Sequence, residues 1–231
     1  MFGASDASEI GRQQTIPVEA SGIDERGGGG LMFSGLSGVL VVVGLVVLLV
    51  LLWIAVAYNR LVALRNQYRS AYSQIDVQLK RRHDLIPNLV ETAKGYLAHE
   101  RETLEAVVQA RGAAVTASRA AAANPGNASL MAGLAAAEMQ LNGALGRLFA
   151  VAEAYPDLKA NQNMLQLQQE LSATEGQIAL ARQVFNEAIQ RYNTTVESFP
   201  TLLVAEALGF SPAQFFELET DKERQVPRVA F

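Results

Sequence analysis

From Val39 to Ala57 the chain reads VLVVVGLVVLLVLLWIAVA, nineteen residues with no charge and, apart from the Trp53 indole, no hydrogen-bonding side chain. A helix of that length rises roughly 29 Å, which matches a bilayer's hydrocarbon core of about 30 Å. Trp53 and Tyr58 stand near its C-terminal end, where amphipathic rings suit the headgroup level. No later stretch comes close to this length without a charge. The run predicts one membrane anchor near the start, with everything after Tyr58 working at a bilayer surface.

The flanks set the expected orientation. Before the run, Arg12 and Arg26 face Asp6, Glu9, Glu19, Asp24 and Glu25; after it come Arg60, Arg65 and Arg69, then Lys80, Arg81 and Arg82. The positive-inside rule puts the N-terminus outside and the larger C-terminal part in the cytoplasm. Arg60 and Arg65 lie close enough to the run to touch anionic lipid, and with Trp53 and Tyr58 they are the candidate headgroup contacts. Ala55-Val56-Ala57 resembles a signal-peptidase site, but a cleaved signal starts basic and has an apolar stretch of only about 7–15 residues. The acidic tail and longer run favour a retained anchor. The chain has no cysteine, so there is no disulfide framework.

Four segments follow. Residues 1–35 are polar and include Gly27-Gly28-Gly29-Gly30, a tail too poor in apolar surface to offset its ordering entropy and expected to be disordered. Residues 36–58 form the membrane helix, 59–198 a helical bundle and 199–231 a C-terminal segment. The bundle expectation rests on period. Leu61, Leu64, Tyr68, Ala71 and Ile75 recur in threes and fours, the spacing of one helix face. Asp84 is an expected N-cap of a second helix with Pro87 in its first turn, carrying Leu89, Ala93, Leu97, Leu104 and Val108 to Arg111. After the Asn124-Pro125-Gly126-Asn127 break, with Ser129 as cap, a third helix places Leu134, Leu141, Leu148 and Tyr155 seven apart. A fourth does the same with Met164, Leu171, Ile178, Phe185 and Tyr192, with small or polar residues on the next row. The expected fold class is all-α, a single transmembrane helix continuous with an up-down-up-down four-helix (bromodomain-like) bundle.

The run Tyr58-Asn59-Arg60-Leu61-Val62 and the stretch from Ser73 to Val90, SQIDVQLKRRHDLIPNLV, resemble the signature of the bacterial LemA family. Gly95-Tyr96 with His99-Glu100, Leu158-Lys159-Ala160-Asn161, Thr174-Glu175, Ala181-Arg182, Phe199-Pro200, Gly209-Phe210, and Pro227 with Phe231 continue it in the family's order. The similarity covers essentially Tyr58 to the C-terminus. Tyr72 stands where the family usually has Trp, Gly176 where it often has Asn, Thr201-Leu202 replaces a more polar pair, and the Gly-ended tail is not a family feature. The resemblance implies a single-pass protein of the bacterial cytoplasmic membrane with a cytoplasmic helical bundle, and it brings no agreed activity.

Motifs for chemistry are thin. His83-Asp84 and His99-Glu100 hold the only histidines, and adjacent helical residues point about 100° apart, so neither pair converges. No H-E-x-x-H, paired Glu-x-x-His, P-loop, G-x-S-x-G or dinucleotide fingerprint occurs. No catalytic, cofactor or metal residues are assigned, and the expectation is a non-enzyme. His83 is expected at a helix end, closing the basic run Lys80-Arg81-Arg82, and His99 on the surface. A net charge of −4 without a basic, aromatic-interleaved stripe argues against nucleic acid.

On the fourth helix Glu175 and Arg182 are seven apart, and so are Asn186 and Asn193. Such a polar row beside a seam fixes register or contacts a partner, and both uses stay open. Beyond Pro200, Leu203, Ala207 and Phe210 group on one side of an expected short helix ending at Gly209, which caps the bundle or lies in the bilayer interface. The function expected is a membrane-anchored scaffold or adaptor, its partners the lipid bilayer and unnamed proteins or copies of itself. The rivals are a membrane-remodelling or signalling module and, more weakly, a hydrolase with a non-local site.

Overall fold

The computed structural model describes the backbone of residues 28–217 and the side chains of residues 38–217. Of the tail expected to be disordered, residues 1–35, those up to residue 27 lie outside the described residues, as do Pro227 and Phe231, while the backbone of 28–35 is already helical as the start of the first helix. Among the described residues six helices follow in order: α1 (Gly28–Lys94), α2 (Arg101–Ala123), α3 (Ala128–Ala152), α4 (Pro156–Lys159), α5 (Gln162–Glu197) and α6 (Leu202–Ala205). Among the described residues there is no strand. The protein is all-helical with one long apolar helix.

The chain divides into two compact units, residues 1–51 and 52–231. In the first, the large apolar side chains of Val39 to Leu51 are all exposed. The apolar part of α1 is long and hydrophobic enough to cross a membrane, and none of its most apolar window is buried by protein.

The second unit has two apolar clusters. One joins Leu61, Tyr68, Tyr72, Ile75 and Leu79 of α1 to Ala121 of α2, Met131 and Leu134 of α3, and Ile178, Phe185, Tyr192 and Val196 of α5. Its aromatic rings meet edge to face, Tyr72 against Phe185 at 5.5 Å and Tyr68 against Tyr192 at 5.2 Å between centroids, the arrangement the ring quadrupoles favour. The other joins Ile86, Leu89 and Ala93 to Leu104, Val107 and Ala114, Leu141, Leu145 and Leu148, Leu158, and Met164 and Leu171. The expected large rows of the third and fourth helices are therefore core from Leu134 to Leu148 and from Met164 to Tyr192.

Four local expectations need correction. No helix starts at Asp84: α1 runs on to Lys94 with Pro87 inside it. Pro87 has no N–H for the His83 carbonyl four residues back, but the Arg111 guanidinium donates to that carbonyl instead, Nε to O 2.6 Å. The reversal comes at Gly95–Glu100, which moves the buried position on α2 from Val108 to Val107 and places Ala113–Ala123 inside α2. Asn127, not Ser129, caps α3, its side-chain oxygen accepting from Leu130 N at 3.1 Å while the Ser129 hydroxyl donates to the same oxygen. Past Pro200 only α6 is helical, and Ala205 and Phe210 turn inward while Leu203 and Ala207 face out. Gly209 at φ +77° makes that reversal, because the left-handed region costs glycine little.

Candidate functional site: a polar layer and a clipped C-terminal segment

The two apolar clusters part once along every long helix: between Leu79 and Ile86, Ala114 and Ala121, Leu134 and Ala137, and Leu171 and Ile178. The buried polar side chains among the described residues fall in those gaps, Arg82, His83, Ser118 and Thr174, or just beside one, Glu138 next to Ala137. A polar layer thus crosses the core. At its centre Glu138, fully buried, accepts from Arg82 Nη1 at 3.3 Å through one oxygen and pairs with His83 Nε2 at 2.8 Å through the other. Arg82 Nη2 donates to Asn142 Oδ1. Ser118 Oγ donates to Asp76 Oδ1 at 3.3 Å, and Thr174 Oγ1 to the Leu171 carbonyl at 2.8 Å. Buried charges persist only when paired and hydrogen-bonded; Arg82 and Glu138 are paired, while Arg82 Nε has no hydrogen-bond partner. Nearby, burial above all, then the Asp76 and Glu138 carboxylates, push the Tyr72 phenol far above its usual range.

Neither Arg82 nor His83 is the solvated helix end expected of the basic run; both are buried in mid-helix, while Lys80 and Arg81 are exposed. The sequence does carry one signal of this layer. Glu138 stands seven from Met131 and from Leu145, so a carboxylate occupies a core row of α3. His99 lies exposed in the Gly95–Glu100 turn. Among the described residues no three His, Cys, Asp or Glu side chains gather in a metal-ligating group.

The asparagines of the predicted polar row hold the chain's own C-terminal segment. Asn193 Oδ1 accepts from Ala213 N at 2.8 Å and its Nδ2 donates to Ala213 O at 2.9 Å. Asn186 repeats this on Phe216, accepting at 2.9 Å and donating at 3.2 Å. Each side-chain amide satisfies both polar groups of one residue, as a neighbouring strand would. Tyr192 donates its hydroxyl to Ser211 O at 3.0 Å; burial and Tyr68 hold its phenol above the usual range, against Arg65 and Arg69. Gln214 N donates to Gly126 O at 2.8 Å. Gly126 has φ +89°, and a Cβ there would come 2.9 Å from that of Ala213, so only glycine fits under the segment.

Of the other candidate positions, Arg182 lies over the Phe216 ring at 5.9 Å and Arg65 over Phe210 at 4.9 Å. Tyr58 meets Phe210 edge on at 5.6 Å. Arg60 is exposed and Trp53 half-buried. Glu175 is exposed on a cavity of about 300 Å³ that it shares with Arg82, Asn142, Gln168 and Ser172. Asn186, Asn193, Arg182, Arg65 and Tyr58 therefore converge on the segment from Phe210 to Phe216, and Glu175 stands apart.

Replacing Asn193 by leucine keeps the branched outline and the number of heavy atoms and leaves Ala213 with two unpaired polar groups. The expected loss is about 1–3 kcal/mol, the cost of stranding buried polar atoms. Amide exchange at 211–216 should speed up while α3 stays protected; uniform exchange across both would show that the clip carries no local stability.

The family model described as LemA family matches residues 71–231. The chain is similar to magnetosome protein MamQ 2 of Paramagnetospirillum magneticum, 26% identical over 175 residues that cover 69% of this chain and 64% of that one. Magnetosome protein MamQ of Magnetospirillum gryphiswaldense is 26% identical over 174 residues with the same coverage. Protein LemA of Metamycoplasma hominis is 27% identical over 159 residues, 69% of this chain and 68% of that one. The chain spans just under two thirds of the length of the magnetosome proteins it matches. The family match takes in the polar layer and the clipped segment alike, and on it the chain belongs to the LemA family.

Proposed function

We propose that this chain is a non-enzymatic, membrane-anchored helical scaffold of the bacterial cytoplasmic membrane. In this reading the apolar run of α1 crosses the bilayer with the N-terminus outside. Residues 59–198 form an up-down-up-down bundle in the cytoplasm, with 199–231 attached to it. The bundle presents its surface to other proteins or to its own copies. The observation that carries the reading is on α5: Leu180 and Val184, one turn apart, are 59% and 56% exposed. Single exposed apolar residues need no explanation, but a pair on one face of a well-packed helix offers an apolar anchor to a partner. Below them the helix is fixed by Ile178 and Phe185, so the pair is presented rigidly.

A chain without cysteine allows one experiment to test both halves. An impermeant thiol reagent applied to intact cells should label Ser5→Cys and spare Leu180→Cys. With a permeant thiol-linked photocrosslinker, Leu180→Cys and Val184→Cys should each capture the same protein, while His99→Cys, exposed in the turn, should not. Labelling at 180 from outside would reverse the topology. Identical products from all three positions would end the scaffold reading.

A further inference from the structure

The turn after α5 leaves an apolar tip that nothing among the described residues covers. From Phe199 to Val204 the sequence is FPTLLV, six residues without a charge. Phe199 is 80% exposed, Leu202 54% and Leu203 71%. Ala205, the next residue, is buried in the same cluster as Leu61, Val196 and Phe210. The exposed residues are thus displayed outward by a fixed support.

The position of the tip identifies what it meets. Along α1 and α5 the ring pairs run in opposite senses: Tyr72 meets Phe185, and Tyr68 meets Tyr192. Moving toward the end of α5 therefore means moving back along α1, at about 1.5 Å per residue on each helix. By that spacing the tip stands level with Ala57 to Leu61. The contacts agree, since Tyr58 meets Phe210, and Leu61 shares a core with Ala205. At this end of the second unit Leu52 and Val56, close to the end of the apolar run, are also exposed. Arg60 is exposed beside them. An exposed apolar tip level with the last residues of an apolar run and edged by a cation fits the boundary between acyl chains and headgroups.

We infer that Phe199, Leu202 and Leu203 insert into the leaflet at which the membrane helix emerges, giving the helical unit a second attachment to the lipid surface. The inference rests on the reading that α1 spans the bilayer. It adds that the unit does not swing freely below its anchor. Two attachments on different elements hold one face of it against the membrane.

Tryptophan fluorescence of the full chain in phosphatidylcholine vesicles tests this, because Trp53 is the only tryptophan. In a Trp53→Phe background, Phe199→Trp, Leu203→Trp, Val47→Trp and Leu180→Trp each carry one reporter. Lipid brominated on the upper acyl chain should quench Phe199→Trp and Leu203→Trp strongly, with blue-shifted emission, and leave Leu180→Trp unchanged. Lipid brominated deep in the chain should quench Val47→Trp most. If Val47→Trp is quenched and the 199 and 203 reporters behave like Leu180→Trp, the tip stays in water and the inference fails alone. Blue-shifted but unquenched emission at 199, rising with protein density in the vesicle, would assign the tip to a second copy of the chain and overturn it. If Val47→Trp escapes quenching, the anchor reading fails and the tip falls with it.

Discussion

Ile178→Asp is expected to unfold the second unit. Ile178 is 3% exposed and packs in the cluster that joins α1, α3, α5 and the C-terminal segment. Losing its burial costs about 1.5–3 kcal/mol, and an unpaired carboxylate in the same place costs several more. Total stabilities of about 5–15 kcal/mol leave little after that. Limited proteolysis of the detergent-solubilised full chain should change from cuts at the termini to cuts throughout residues 59–198. Leu180→Asp, two residues on but facing solvent, should stay within about 0.5 kcal/mol of the parent. Equal behaviour of the two variants would mean that the fourth long helix is rotated from the register described.

Glu138→Ala is the second large effect. It leaves the Arg82 guanidinium and the His83 ring buried without their carboxylate. Breaking a buried ion pair by removing one partner costs about 3–5 kcal/mol. For a unit of this size that lowers the thermal midpoint by roughly 6–20 °C. The companion experiment separates stability from specificity: Arg82→Met, His83→Leu and Glu138→Leu together should recover most of the loss, since apolar replacement of a whole buried cluster is often neutral or better. A single variant as stable as the parent would mean that the pairing in the layer is worth nothing. A triple variant as poor as the single one would mean that the site needs its polar atoms for more than charge balance.

Sequence alone carried the all-helical architecture because its evidence is periodic and local. Five residues seven apart on α5, Met164 to Tyr192, cannot all be buried unless the segment is helical, and all five are. The reading failed where one residue's partner lies far away in sequence. Pro87 looked like a helix start because the group that replaces its missing hydrogen bond, Arg111, is on another helix. The basic run Lys80 to His83 looked solvated because the carboxylate that pairs with its buried half, Glu138, sits 55 residues beyond His83. Asn186 and Asn193 were legible as a polar row, but their acceptor was not. Residues 211 to 217 have no regular secondary structure, so no period marks them as part of the core. The exposed tip was only half legible: the lack of charge between Phe199 and Val204 is plain, whereas which of its residues turn outward depends on Ala205 and Phe210 being taken inward.

The clipped segment also sets a schedule for folding. Phe210, Ala213 and Phe216 belong to the same core as Leu61, so the first helix emerging beyond the apolar run waits for nearly the whole chain. At about 5–20 residues per second of synthesis, the interval between Leu61 and Phe216 lasts roughly 8–30 s. For most of it Tyr68, Tyr72 and Ile75 lack a complete α5, and for all of it they lack the finished segment. A nascent chain of this protein therefore passes its longest half-built stage with an aromatic face open, and holding that face apart from its neighbours falls to whatever attends the ribosome.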